Sequence, residues 1–498
     1  MKQICATLLL LVAVGTIGVS VVGQQRTYPE PAPPLYVLED SYLKRPLLPE
    51  DQAYGQIDGK RLKRYVVEQA AISRRYRDSG HQFWGRIIGT QADAESAQWL
   101  MDRLRAAGAR DVRSQPFDLP PQWMPSSWDV SLTGGAATLM LGSAQPAYQT
   151  VGTPGPGLDL EAVWVGTGTE ADFAGRDVTG KAAVIFSSPL PGSWSHSAMT
   201  YDAMRRAERH GAAAVFTIIE LPGNIKMQFY PTGNNLPSFA LGREDGEKIR
   251  EHIEQAPRGQ PPHVRVRLAV EMVPGLKTAS VWGVVPGSTD ENVVVVAHRD
   301  GWFEGGTDNA SGVATAIGLV EYYAKLPLEK RRRTLTIVGT PGHHNGAILG
   351  PQWIADHRET QLAKTALIIN CEHTASVQTY LLGPVIRKAN TAQAFWWYVG
   401  GSSRLERIAV QAYDRFGVAT FDRPETSAAG EIGPIYRIAP SIQLIQSDVF
   451  FHSDAETAET VPPAGLEAST RAYAKIIDEV NRVAIADLAR APTGSAKQ

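Results

Sequence analysis

Cysteine is almost missing from this chain: two occur in 498 residues, at positions 5 and 371. Cys5 lies within an apolar leader and no cysteine stands near its end, which argues against a lipid-modified cysteine. Cys371 is then the one thiol of the mature chain, and an internal disulfide is excluded. An excess of charge of either sign is lacking too. The 49 basic and 51 acidic residues leave a formal net charge of -2, so electrostatics gives no reason to expect nucleic acid or an acidic membrane surface as partner. Past Val22 no run is apolar for long enough to cross a bilayer, and no internal repeat is evident. What is present is a 43% hydrophobic composition, ample for one large domain with an insertion or for two to three ordinary domains.

The first 23 residues hold one Lys and then a continuous apolar run from Ile4 to Val22, ending in small residues ahead of Gln24 and Gln25. This pattern is that of a secretory signal cleaved near Gly23, with an uncleaved anchor helix as the alternative. An exported chain, periplasmic or secreted, is expected, with no membrane association after cleavage. Residues 24–57 are Pro-rich between Tyr28 and Pro49 and read as an extended arm lying on the surface or on a neighbouring subunit. Helical periodicity follows, and Asp93 to Ala109 places Ala97, Leu100, Met101 and Leu104 on one face before Gly108 ends the helix. From 118 to 274 the texture changes to short β-like runs broken by Gly and Pro, with one helix over Ser197 to His210. An α/β rhythm then returns: strands at ENVVVVA, RTLTIVG, ALIIN and SIQLI alternate with helices after Ser311 and near Trp353. The expected fold class is α/β, a mixed central sheet covered by helices on both faces, formed by 58–117 and 275–490 around a β-rich insertion at 118–274.

The residues able to do chemistry sit just past the C-terminal ends of those strands, the edge where open α/β sheets bind ligands. His298, Asp300 and Asp308 follow the first strand, His343 and His344 the second, Glu372 and His373 the third, and His452 the fourth. Of eleven histidines, five fall in these four loops, too many for unrelated surface residues. Imidazole and carboxylate are the ligands preferred by zinc and similar divalent ions. His298, Asp308, His344, Glu372 and His452 form the candidate ligand set for one or two ions, with Asp308 placed to bridge them. Asp300, two residues after His298, is a candidate to orient that ring. Trp302 and Phe303 flank the site, either as pocket walls or as plain packing. Cys371 is expected to point into the core, and Glu431 to serve as a hydrogen-bonding partner.

Together, HRDGWFEGGTDNASG, GHHNG, INCEH and FHSDAETAETV resemble the co-catalytic zinc metallopeptidases that include bacterial aminopeptidases and glutamate carboxypeptidase. The likeness is strongest over Val293 to Ser376 and around His452. The stretches GKAAVIF and AERHGAAAVF resemble, less specifically, the protease-associated domain inserted in many members. The smaller secreted aminopeptidase layout is the expectation, without the long C-terminal helical domain of the carboxypeptidase branch. The resemblance implies that His298, Asp308 and Glu372 hold one ion, that Asp308, His344 and His452 hold the other, and that His343 stands at the general base.

Three of these positions depart from the family pattern, which has two glutamates where His343 and His344 stand and an aspartate where Glu372 stands. Fewer carboxylates against two dications should weaken the second ion. A neutral imidazole at 343 can still accept a proton near neutral pH. Exchange of the roles of His343 and His344 is open. The expected function is a metal-dependent hydrolase of amide or peptide bonds, aminopeptidase-like, acting on a small peptide or amide. The alternatives are a metal- or peptide-binding protein impaired in turnover and a hydrolase of non-peptide amides or esters. The sequence leaves the preferred side chain and the oligomeric state undetermined.

Overall fold

In the computed structural model, residues 46–134, 138–188, 196–200, 202–382, 385–446 and 448–489 are described. The expected signal segment and most of the Pro-rich arm lie outside them. Among the described residues no helix is long and apolar enough to cross a membrane. The described end of the arm is not extended. Pro49–Gln56 forms a 3-10 helix because its side chains have partners to dock on: the Tyr54 ring packs on Tyr322 and Phe416, and Asp51 pairs with Arg415 and Lys475.

The sheet that carries the candidate residues has seven strands: β1 (Arg110–Asp118), β2 (Lys277–Val285), β3 (Asn292–His298), β4 (Thr334–Thr340), β5 (Thr365–Cys371), β6 (Trp396–Gly400) and β7 (Ser441–Ile445), in the spatial order β6-β7-β5-β3-β4-β2-β1. Strands β7, β5, β3 and β4 run parallel. Antiparallel neighbours close both sides, β2 and β1 beyond β4 and β6 beyond β7. The unbroken apolar runs of β3 and β5 follow from burial on both faces. Val293, Val295 and Ala297 point into a core shared with the helices α1 (Gly59–Asp78), α2 (Gln91–Ala107), α3 (Gly312–Lys325), α4 (Ser403–Phe416) and α5 (Pro463–Val480). Val294 and Val296 point the other way, to Trp282, Val338, Ile354 and Ile368.

Helix α2 starts two residues earlier than the apolar spacing predicts, since the Thr90 side chain caps it by accepting from the Asp93 N–H. It ends at Ala107 because Gly108 takes a left-handed conformation, φ 99°. Ala97, Leu100 and Leu104 are buried as the pattern implies, while Met101 is half-buried at the margin.

Between 122 and 273 the described residues build a second, eight-stranded sheet. Its parallel strands Leu158–Trp164, Ala182–Ser187, Ala214–Ile219 and Ser238–Leu241 adjoin a long antiparallel pair, Gln122–Thr133 with His263–Val273. The segment is therefore rich in strands, with short helices between its parallel ones. The helix expected over Ser197 to His210 is divided between Ser197–Thr200 and Ala203–Arg209. One face of this sheet shares its core with Phe83, Trp84, Trp302 and Phe303, which joins it to the loop after β3.

Candidate metal centre

Strands β3, β4 and β5 end side by side, so the loops that follow them converge. His298 is the last residue of β3, and its Nε2 lies 3.1 Å from Asp308 Oδ1. Asp308 reaches the same point from an irregular turn, Gly306–Ser311, whose backbone is non-helical at Asp308 and Asn309, ahead of α3. Its other oxygen, Oδ2, is 2.8 Å from His344 Nε2 and 3.0 Å from His452 Nε2. The structure thus gathers His298, Asp308, His344 and His452, with one Asp308 oxygen on each side.

Asp300 does more than the sequence suggested. Its Oδ1 is 3.4 Å from His298 Nδ1, and its Oδ2 accepts from His344 Nδ1 at 2.9 Å. It also accepts from the backbone N–H groups of His343 at 3.2 Å and His344 at 3.0 Å. One carboxylate therefore fixes two imidazoles with their Nε2 atoms aimed at Asp308, as supporting residues of metal sites commonly do.

Glu372 and His373 occupy places that their order in the chain does not reveal. The Glu372 carboxylate lies beside His343, with Oε1 3.8 Å from His343 Nε2, and Oε2 accepts from Asn370 Nδ2 at 2.6 Å. It can form a ligand group with His298 and His343, whereas the groups that include Asp308 contain histidines only. His373 instead places Nε2 3.0 Å from Asp308 Oδ1.

His343 donates from Nδ1 to Glu431 Oε2 at 2.8 Å, since an ionised carboxylate can only accept. Glu431 is fully buried, and its other oxygen accepts from Thr340 Oγ1. The His343 ring stacks on His298, with centroids 4.3 Å apart. Its side chain is 14% exposed, against at most 5% for His298, His344, His373 and His452, so it is the most accessible of these rings.

Several contributors went unnoticed in the sequence. Arg86 is fully buried and donates to the carbonyls of Arg299 at 2.8 Å, Glu304 at 2.6 Å and Gly305 at 3.1 Å, which sets the loop between His298 and Asp308. Glu456 accepts from the N–H of Asp308 at 2.7 Å and of His452 at 2.9 Å; its spacing from His452 could have signalled this. Tyr230 comes from the second sheet's region, its ring 4.9 Å from that of His452 and 5.2 Å from that of Trp302. Trp302 in turn lies 4.6 Å from His344, whereas Phe303 packs away on Trp84. The His452 loop is joined to the same region through its backbone. Gln228 N–H donates to His452 O at 2.8 Å, Lys226 N–H donates to Asp454 Oδ1 at 3.0 Å, and Met227 bridges Ser453. Cys371 is buried in the main core.

Without an ion the cluster balances charge with protons. Burial and the neighbouring His343 oppose a charged His298, yet the carboxylates of Asp300 and Asp308 carry its pKa up to about 10. Burial likewise opposes charge on His343 and His344, and Glu431 and Asp308 respectively raise them to about 9. For His452 burial prevails and its pKa falls to about 3. Burial works against ionised Asp300 and Asp308, but the surrounding imidazoles hold both well below the usual carboxylate range.

The donor set fits a divalent ion. His298 Nε2, Asp308 Oδ1 and His373 Nε2 are buried and close together, and none makes a hydrogen bond. Three buried polar atoms facing one point without hydrogen-bond geometry are costly unless a cation satisfies them. A set rich in imidazole suits zinc and its nitrogen-preferring neighbours better than magnesium or calcium.

Residues 280–475 match the pattern of Peptidase family M28. This segment, less than half of the chain, is similar to the family. The matched segment includes most of β2, all of β3 to β7 and the residues His298, Asp300, Asp308, His343, His344, Glu372, His373, Glu431 and His452, while Arg86, Tyr230 and the 226–228 segment lie outside it. The chain is similar in fold to a zinc aminopeptidase from Bacillus subtilis, TM-score 0.61 at 18% identity over 87% of this chain and 98% of that one. It is similar also to a peptidase M28 precursor from Shewanella amazonensis, TM-score 0.67 at 19% identity over 89% and 97%. A probable glutamate carboxypeptidase of Arabidopsis thaliana is 24% identical over 169 residues, 32% of this chain and 24% of the length of that relative. The chain therefore spans about a quarter of that curated relative.

Proposed function

We propose that the chain is an exported, metal-dependent hydrolase of amide or peptide bonds, aminopeptidase-like in class, that works with a histidine-rich site. The observation that carries this reading is the convergence of His298, His344 and His452 on the two oxygens of Asp308, in a chain whose residues 280–475 match Peptidase family M28. The likeness in fold to a zinc aminopeptidase supports the substrate class. Export rests on the leader, one Lys followed by the run Ile4 to Val22.

A divalent ion at this centre supplies Lewis-acid polarisation of the scissile carbonyl and a water of lowered pKa. The chain's own residues handle the proton. With Nδ1–H committed to Glu431 at 2.8 Å, a neutral His343 keeps its lone pair on Nε2, the tautomer a general base requires. Glu431 holds the ring and stabilises the imidazolium once Nε2 has taken a proton. From there the proton passes to the leaving amine. Asp300 keeps His298 and His344 aligned throughout. Trp302 and Tyr230 form an aromatic wall beside His344 and His452, which limits water on that side.

The test is metal content of the purified chain by elemental analysis, paired with product release from a panel of aminoacyl amides and their N-acetylated counterparts, before and after chelation. Chelator-sensitive release, lost on acetylation, is the expected result. Bound metal without turnover would replace the reading by that of a binding protein, a course favoured by the lack of a carboxylate at 343 and 344.

A further inference from the structure

We propose that His373, rather than Glu372, completes the protein ligand set of the ion held by His298 and Asp308. The inference rests on the metal-dependent reading above and changes which residue does the holding. His373 Nδ1 lies 2.6 Å from the carbonyl oxygen of Gln446. A carbonyl can only accept, so the ring's proton sits on Nδ1 and the Nε2 lone pair points inward. That lone pair faces Asp308 Oδ1 at 3.0 Å, and neither atom has a hydrogen-bond partner. Two acceptors so placed in a buried site repel unless a cation draws on both. The ring is also locked in place from its backbone, whose N–H donates to Asn309 Oδ1 at 3.0 Å and whose φ is 50°, the left-handed region rarely used by such a residue.

Glu372 is engaged elsewhere. Its Oε2 accepts from Asn370 Nδ2 at 2.6 Å, with the Glu431 N–H at 3.3 Å and Gln443 Nε2 at 3.5 Å as further donors. The carboxylate is seated against Gly430, φ 68°, where a Cβ would come within 2.1 Å of both its oxygens. Held in this recess, the Glu372 carboxylate groups with His298 and His343 and not with Asp308, whereas the neighbouring ring of His373 faces Asp308 Oδ1. The two candidate sites become His298, Asp308 and His373 on one side and Asp308, His344 and His452 on the other. Asp308 is left as the one carboxylate shared between them.

The experiment uses the full chain loaded with zinc. Anomalous scattering at the zinc edge locates the ion in crystals of the unaltered protein, and zinc affinity is measured by chelator competition for His373→Asn and Glu372→Gln. The expected ion lies about 2.0–2.1 Å from His373 Nε2. Affinity at that site should fall by more than the roughly 10–100-fold that loss of a supporting partner costs in His373→Asn. In Glu372→Gln it should change by less than about tenfold. An ion bonded to Glu372 with His373 outside its reach, or the opposite ranking of the variants, overturns the assignment and leaves the hydrolase reading standing. If the unaltered protein binds no zinc, both fall together. The crystallographic arm does not depend on whether either variant folds.

Discussion

Loading the centre with zinc should release two to three protons at neutral pH. His298, with a pKa carried to about 10, and His344, carried to about 9, are both protonated at pH 7 when no ion is present. Coordination requires each as neutral imidazole, so each gives up one proton. His343, also raised to about 9 and stacked 4.3 Å from His298, loses a third when a dication comes close. His452, lowered to about 3, is already neutral and contributes none. The sign follows from the raised values. Apparent affinity climbs with pH until about 9 to 10 and then levels off, with full loading changing by about 100-fold per pH unit if two protons leave. The same groups affect the metal-free protein in the opposite sense. Their folded pKa values exceed the unfolded value of about 6.5, so they stabilise it fully below that pH, and this contribution is lost as pH rises through 9 to 10. The assay is titration calorimetry in two buffers of unlike ionisation enthalpy, with chelator-competition affinities from about pH 6.5 to 8. A binding heat independent of buffer, with fewer than one proton released, would refute the charge balance described for the metal-free site.

His343→Ala should lower kcat by ~10²–10⁴-fold, the usual share of a general base, with zinc content unchanged by elemental analysis; an equal loss of zinc would make the ring a ligand instead. Glu431→Gln should reduce kcat while KM stays within about twofold, since the His343 Nδ1–H loses its charged acceptor; steady-state kinetics on one aminoacyl amide decides this. Leu100→Ala in α2 removes a side chain that is 1% exposed and lies directly on Gly339 of β4, at a cost of about 2–5 kcal/mol in urea unfolding of the metal-free protein. A change below about 1 kcal/mol would mean that the helix repacks onto the sheet.

The parallel core was legible in the sequence because strands buried on both faces become uninterrupted runs such as Val293 to Ala297. The site's position was legible for the same reason, since chemistry-bearing residues right after such runs lie on one edge of the sheet. The choice between neighbours was not. Whether Glu372 or His373 faces Asp308 depends on a backbone turn to φ 50° and on a recess made by Gly430, neither of which leaves a periodic trace. Arg86 and Tyr230 were hidden for another reason: both reach the centre from far along the chain, and a single Arg or Tyr in an otherwise ordinary segment carries no signal of what it will touch. The described end of the arm, Pro49–Gln56, is helical and not extended, because proline content describes the backbone and says nothing of Tyr54 or Asp51 finding partners on α4 and α5.

The backbone ties between 226–228 and 452–454 act as a clasp on the loop that presents His452, a residue itself held at φ 60°. The second sheet is thus part of the tooling of the centre rather than an accessory hung on it. Trimming the chain to the segment that carries the ligands would not yield a smaller hydrolase; it would unfasten one wall of the ion's cage. Substitutions in 220–230 would accordingly be felt first as altered metal retention, before any loss of fold.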